Sequence, residues 1–395
     1  RQRQNRPDDH AADIQSSADK KQYRRSTGKV MEQKKKVLFV ATVVKTHINT
    51  FHLPFLKMFK EHGWEVHVAA KNDFVDEPCI IPNCDHHFDM EFVRAPFSQR
   101  NIAAYKQLKQ IIETNHYDII HCHTPVAGVL TRLAARNSKD TTVIYTAHGF
   151  HFYKGAPLIN WLIYYPVERF CAKFTDKLIT INQEDYNRVK SWSLHNNGKI
   201  YYVPGIGVDL EEIQNISINK VQKKKEIGIS NDVKVLLSVG ELNKNKNHEI
   251  IIRVLSKLTN KNFIYLICGN GELKEYLKNL AKELGVSDKV KFLGYRKDVL
   301  EIYKIADLFL FPSKREGLPC SLIEAMACGL PCVASDVRGN KDLLRSDNLC
   351  KSNKEEEWLR LLNKAFCEKI LVNELQDIYG VSHIKKNMQD IYGLN

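Results

Sequence analysis

No apolar run in this chain of 395 residues approaches the roughly 20 that a membrane-crossing helix needs. The longest uncharged stretch beside an aromatic cluster runs only from Gly155 to Val167. A secretory signal is missing too, so the expected location is the cytoplasm, peripheral to the inner face of a membrane. The ten cysteines are scattered and form no Cys-x-x-Cys pair, a pattern of reduced intracellular thiols. Also absent is the basic stripe interleaved with aromatics that marks a nucleic-acid binder, so no nucleic-acid partner is expected. The net charge of +13 is spread along the chain: residues 1–30 contribute +4, residues 31–210 contribute +4 and residues 211–395 contribute +5. Such a balance suits anionic ligands and an anionic membrane surface, and equally an ordinary solvated exterior.

What is present fits a globular protein, with 43% hydrophobic and 27% charged residues. The length exceeds what one hydrophobic core usually supports, so two domains are expected. Residues 1–30 are polar and lack any apolar period, which predicts a disordered or non-native extension before Met31.

From Val37 onward, apolar runs of strand length alternate with helical patterns. Strands are expected at Val37–Ala41, Glu65–Ala70, Asp118–Cys122, Val143–Thr146 and Lys177–Ile181, with helices at Ile102–Thr114 and Val126–Arg136 among those between. The scheme repeats, with strands at Val233–Val239, Phe263–Cys268, Val290–Leu293, Leu308–Phe311 and Cys332–Ser335. Strand–helix alternation predicts an α/β fold with parallel sheets, here two doubly wound lobes joined near residues 204–210. In such sheets ligands bind beyond the carboxyl ends of the strands.

The densest chemistry lies in Phe311-Pro-Ser-Lys-Arg-Glu-Gly-Leu-Pro-Cys-Ser-Leu-Ile-Glu-Ala-Met-Ala327. Glu316 ends a loop after a strand, and Glu324 sits about one turn inside the following helix. Both carboxylates face a helix N-terminus, whose free N–H groups suit an anion. Gly317 permits close backbone approach, and Pro319 suits a first helical position. Ser321 with Glu324 also fits a capping box that needs no ligand. Upstream, Gly240-Glu-Leu-Asn-Lys-Asn-Lys-Asn-His248 leaves a strand and opens a helix. Lys244 and Lys246 are placed there to meet phosphate oxygens, or to form a solvated basic loop.

These residues resemble glycosyltransferase family 4, the retaining GT-B sugar-nucleotide transferases, in the string Ser313, Glu316, Gly317, Leu318, Pro319, Glu324, Ala325, Met326 and Ala327. The resemblance implies a GT-B fold, two Rossmann-like lobes facing an interlobe cleft. It implies an acceptor-side lobe over residues 31–206, a nucleotide-sugar lobe over 207–380 and a helix over 381–395 returning to the first lobe. By the same resemblance Glu316 and the amides of Gly317, Leu318 and Pro319 hold the donor hexose, Glu324 holds the ribose, and Lys246 neutralises the diphosphate. Glu241 stands where the family carries an arginine, with Lys244 as the candidate to compensate.

Gly240, Gly269, Gly271, Tyr295 and Arg296 are expected beside the nucleotide, the two glycines of Cys268-Gly-Asn-Gly-Glu272 allowing close approach to a ligand. His148, in Thr146-Ala-His-Gly149, corresponds to a family histidine near the reacting carbon and is expected to position the sugar rather than remove a proton. Lys45, Thr46, His47, His121 and His123 are acceptor-side candidates, and a metal at His121 and His123 is set aside for want of a carboxylate partner. The first-half string from Val37 to His151 looks like transferases of capsule and exopolysaccharide assembly. The resemblance therefore implies a retaining hexosyltransferase that uses a nucleotide sugar, UDP-linked foremost, on a polyprenyl-diphosphate-linked acceptor at an anionic membrane. No cofactor and no metal are expected. A sugar-nucleotide epimerase of the same architecture and a non-catalytic sugar-nucleotide-binding protein remain as alternatives.

Overall fold

In the computed structural model, which describes residues 34–96, 98–260, 262–367 and 374–394, thirteen parallel strands form two sheets. The expected extension over residues 1–30 lies outside the described residues. The first sheet runs in the order β3-β2-β1-β4-β5-β6-β7, from β1 (Lys36–Val43), β2 (Glu65–Lys71), β3 (His86–Asp89), β4 (Ile119–His123), β5 (Thr142–Ala147), β6 (Lys177–Thr180) and β7 (Lys199–Tyr202). The second runs β10-β9-β8-β11-β12-β13, from β8 (Lys234–Val239), β9 (Phe263–Cys268), β10 (Val290–Gly294), β11 (Leu308–Phe311), β12 (Cys332–Ser335) and β13 (Leu349–Cys350).

Helices cover both faces of each sheet, which is why the central strands are apolar without interruption. Along β1, Leu38 and Val40 pack into one core while Val37, Phe39 and Ala41 pack into another, all fully buried. In the second lobe Leu237 and Phe309 face one core, and Leu236, Leu308 and Leu310 face the other. Most expected strands fall within a residue or two of the observed ones, and β9, β11 and β12 coincide. Both outer strands of the first sheet escape a hydrophobic reading. β3 is His-His-Phe-Asp, and β7 begins with an exposed Lys199; an edge strand packs only in part and needs no apolar run.

The apolar stretch left without an assigned element is a helix, Leu158–Cys171, with Pro166 inside it. Trp161, Tyr164 and Tyr165 turn to the core, while Leu158, Ile159 and Leu162 are 80%, 57% and 72% exposed. Among the described residues no helix is long and apolar enough to cross a membrane.

Two segments cross between the lobes side by side. Val208 N–H donates to Tyr379 O at 3.0 Å, and Val381 N–H to Val208 O at 2.9 Å. The final helix, Val381–Tyr392, then buries Ile384, Met388, Ile391 and Tyr392 against the first lobe, among Phe39, Phe55 and Phe59. The carboxyl ends of β4, β5, β8 and β11 are thereby turned toward one cleft.

Candidate active site in the interlobe cleft

The second lobe's wall is built where β11 ends. The chain passes through Ser313, fully buried, to Glu316 and enters the helix Cys320–Ala327 at Pro319, which is its N-cap and gives no side-chain cap. The capping box expected as an alternative at Ser321 and Glu324 is therefore not formed. Glu324 instead accepts a hydrogen bond from Tyr303 Oη at 3.1 Å, and burial raises its pKa. Glu316 Oε1 meets Lys246 Nζ at 2.7 Å, with Lys246 also 4.8 Å above the Phe311 ring. Lys246, Glu316 and the residues Gly317 to Ser321 line one side of a cavity of ≈ 550 Å³.

What sets this pair in place is a ladder of asparagines. Asn243 Oδ1 accepts from the Lys246 amide at 3.0 Å, Asn245 Nδ2 donates to Arg315 O at 2.9 Å, and Lys314 N–H donates to Asn245 O at 2.8 Å. The only sequence signal was an asparagine at every second position of Asn243-Lys-Asn-Lys-Asn247, since asparagine readily bonds to backbone in loops. Lys244 points elsewhere, into a separate depression with Tyr276 and Lys314, so it does not replace the family's arginine beside Lys246. Glu241 is exposed and accepts from Asn243 Nδ2 at 2.8 Å.

Gly240, Gly269, Tyr295 and Arg296 come together in a neighbouring hollow beyond β8, β9 and β10. Gly269 and Gly271 are also required by the packing of the loops themselves. A Cβ on Gly269 would lie 2.0 Å from Gly240 O, and one on Gly271 would lie 2.5 Å from Leu242 O; the loops press on each other. Arg296 is engaged by Asp298 through Nε at 2.7 Å and Nη2 at 2.6 Å, and Tyr295 is 75% exposed at the rim.

The first lobe's wall carries His47, Phe51, Thr124, Tyr145, His148, His151 and Glu168. His148 lies on the cleft, and burial lowers its pKa to about 4, so the ring is neutral near pH 7. Its carbonyl would touch a Cβ on Gly317 at 2.3 Å, so Gly317 is required by the meeting of the lobes. His47 lies in a π-helical turn, Val44–Ile48, a distortion frequent at functional sites. Thr46 borders a second, mostly apolar groove of ≈ 450 Å³ that shares His47, Thr124, Pro125, His151, Tyr164 and Glu168 with the cleft.

Three acceptor-side candidates, Lys45, His121 and His123, do not reach this wall. Lys45 Nζ is bound to Glu77 at 2.6 Å and lines neither space, because the turn throws its side chain outward. His121 is buried beneath the final helix, its two ring nitrogens bonded to Tyr392 Oη at 2.7 Å and Thr146 Oγ1 at 2.8 Å. Its neighbour on the same strand face, His123, is also buried, stacked on His52 with ring centroids 3.8 Å apart.

Three features had no motif to announce them. Thr124 holds φ 65° and ψ 150°, a strained conformation for a residue with a side chain, at the point where cleft and groove join. Glu168, on the helix Leu158–Cys171, accepts from Arg132 at 2.8 Å and Tyr145 Oη at 3.1 Å beneath both spaces. Arg338 spans the lobes: Nη1 meets Asp185 Oδ1 at 2.9 Å and Nε donates to Glu316 O at 3.0 Å, with Arg338 and Asp185 buried. Desolvation raises the Asp185 pKa, and the Arg338 charge opposes that rise.

Comparison with known proteins gives these walls a context. The family described as Glycosyl transferases group 1 matches residues 219–378, and the one described as Glycosyl transferase 4-like matches residues 36–182. The chain is 43% identical over 316 residues to the putative glycosyltransferase EpsD of Bacillus subtilis, covering 79% of this chain and 81% of that one. It is 32% identical over 287 residues to the UDP-Gal:alpha-D-GlcNAc-diphosphoundecaprenol alpha-1,3-galactosyltransferase of Escherichia coli, covering 69% and 74%. Among solved structures, HepE of Anabaena in complex with UDP and glucose superposes with a TM-score of 0.71 at 18% identity, over 91% of this chain and all of that one.

Proposed function

We propose, from the premise that the chain belongs to the glycosyltransferase family 4 enzymes of GT-B fold, that it moves a hexose or N-acetylhexosamine from a UDP-sugar to a hydroxyl of a lipid-linked saccharide with retention of configuration. The observation that carries this reading is the Lys246–Glu316 pair at the start of the helix Cys320–Ala327, on a cleft that opens into an apolar groove.

An incoming diphosphate draws Lys246 from Glu316 and meets the free N–H groups at the helix start. Glu316, released, accepts hydroxyls of the sugar, while Glu324 holds the ribose. The bond from the anomeric carbon to the diphosphate oxygen breaks as the acceptor oxygen attacks the same face. The acceptor proton passes to the departing diphosphate oxygen. Lys246 stabilises the charge that develops there, and neutral His148 positions the sugar. No divalent ion is needed at the diphosphate.

A polyprenyl acceptor is supported by the groove, whose Val126, Val129, Leu130 and Ile163 suit a lipid chain and whose Arg94 suits a diphosphate. The exposed Leu158, Ile159 and Leu162 on the neighbouring helix suit contact with the inner face of the cytoplasmic membrane. The name of the Escherichia coli relative specifies UDP-galactose and an undecaprenol-diphosphate-linked acceptor, the classes of substrate proposed here.

The test is incubation of the purified chain with UDP-sugars and a polyprenyl-diphosphate-linked monosaccharide in EDTA without magnesium, with the anomeric linkage read by NMR. A new disaccharide whose linkage keeps the donor's configuration is expected. Inversion, a strict need for magnesium, or conversion of the UDP-sugar without acceptor would each overturn part of the reading, the last in favour of an epimerase.

A further inference from the structure

Four histidines meet behind the first lobe's wall, brought from separate segments. His47 comes from the π-helical turn, His52 from the N-cap of the helix Leu53–Glu61, His123 from the end of β4 and His148 from the loop after β5. One nitrogen from each lies within 4.8 Å of the others. His148 Nε2 is 3.3 Å from His123 Nδ1, and the His47 and His148 ring centroids are 4.9 Å apart.

Ordinary hydrogen bonding leaves this cluster unsatisfied. His47 Nε2, both ring nitrogens of His52 and His123 Nε2 are buried without a partner among the described residues. His52 and His123 are each 1% exposed. Buried polar atoms are nearly always paired, and orphans gathered at one point call for an occupant. His121 supplies the contrast, since both its nitrogens are taken by Tyr392 and Thr146.

We propose that His47, His52, His123 and His148 bind one late first-row divalent ion, zinc foremost. Imidazole suits such ions, whereas magnesium and calcium take oxygen ligands. A tetrahedral zinc with Zn–N of about 2.0–2.1 Å has neighbouring nitrogens about 3.3–3.4 Å apart; His148 Nε2 and His123 Nδ1, hydrogen-bonded at 3.3 Å, already stand at that spacing, and the ion would replace their hydrogen bond. The wider separations close by rotation of side chains about the ion. Burial lowers the pKa of all four rings, leaving them in the deprotonated form that binds metal. An ion held by four protein ligands has no open position for chemistry, so its part is to tie four segments into one wall of the cleft. The cluster contains no carboxylate, so the ion's charge stands behind His47 and His148, on the side where anionic substrates enter.

The experiment uses the full chain without an affinity tag, stripped with EDTA and dialysed. Elemental analysis after zinc loading should give about one ion per chain, and cobalt loading should give the visible bands of a tetrahedral site. His52→Leu and His123→Leu should each weaken uptake by about tenfold or more, while His121→Gln keeps it. Should the variants fail to fold, the wild-type unfolding temperature decides, rising with zinc and not with magnesium. Uptake below about one-tenth of an ion per chain, full uptake retained in both leucine variants, or an unfolding temperature indifferent to zinc would overturn the proposal.

Discussion

On the second lobe's wall Lys246 and Glu316 face each other as a charged pair at a helix start, whereas on the first lobe's wall burial keeps a group of histidines neutral. In the proposed reaction the charged wall exchanges partners when a diphosphate arrives, because each group already has a counter-ion to release. The histidines of the other wall carry no charge of their own to exchange, so they work through shape, packing and the polarity of their rings. The proposed transfer needs both: mobile charge where the leaving group forms, and a fixed surface where the acceptor must be aligned. Arg338 binds one wall to the other, touching Asp185 in the first lobe and the Glu316 carbonyl in the second.

That link offers the hardest way to break the comparison. Arg338→Leu leaves Asp185 buried and unpaired and should cost about 3–5 kcal/mol of stability, read by urea unfolding. The double variant Arg338→Leu with Asp185→Leu should recover most of the loss; a single variant as stable as wild type would show that the walls are not joined there.

Next in size is the charged wall itself. Lys246→Ala or Glu316→Ala should each lower kcat by about 10²–10³-fold, with UDP affinity in Glu316→Ala changed far less, measured by calorimetry beside the transfer assay. Because the two groups are in direct contact, the loss in the double variant should fall short of the product of the single losses. Turnover at the wild-type rate in Glu316→Ala would remove it from the site.

Acid tests the neutral groups. His151 in the first lobe and His248 in the second are both held by burial at about 4, below the ordinary histidine value of about 6.5. In that window the unfolded chain binds more protons, so stability present above pH 6.5 should fall as pH drops through 4. Each unit of depression corresponds to about 1.4 kcal/mol, and unfolding midpoints at pH 7, 6 and 5 give the slope. Stability flat over that range would show that these rings are charged or solvated in the fold.

Smallest is Arg296. Since Asp298 already takes its guanidinium from two sides, Arg296→Ala should change UDP affinity by less than about threefold, against the expectation that it serves beside the nucleotide. A larger loss would mean that the pair opens for the nucleotide.

The contrast between the walls also explains what could be read in advance. The charged wall comes largely from one continuous string, Phe311 to Ala327, and its strand and helix follow from local apolar period and a proline at the helix entrance. The neutral wall draws on positions 47, 52, 123 and 148, and no spacing along the chain relates them. A lone histidine before a helix, such as His52, has no distinctive neighbours, whereas His121 and His123 alternate along one strand and so draw notice together. At Gly269, Gly271 and Gly317 a side chain would meet a neighbouring loop of the protein itself, a requirement that no local spacing announces.

By itself the sequence determined the two α/β lobes, the positions along the chain of nearly all their central strands and the string that carries Glu316 and Glu324, because strand burial, helix entry and turn chemistry act over a few residues. Only the tertiary structure decided that Lys246 pairs with Glu316 across 70 residues, that Arg338 clasps Asp185 across 153, and that four histidines converge. Those contacts depend on which strand ends share an edge and how the lobes close. That is settled by burial summed over whole sheets and helices, not by any segment read alone.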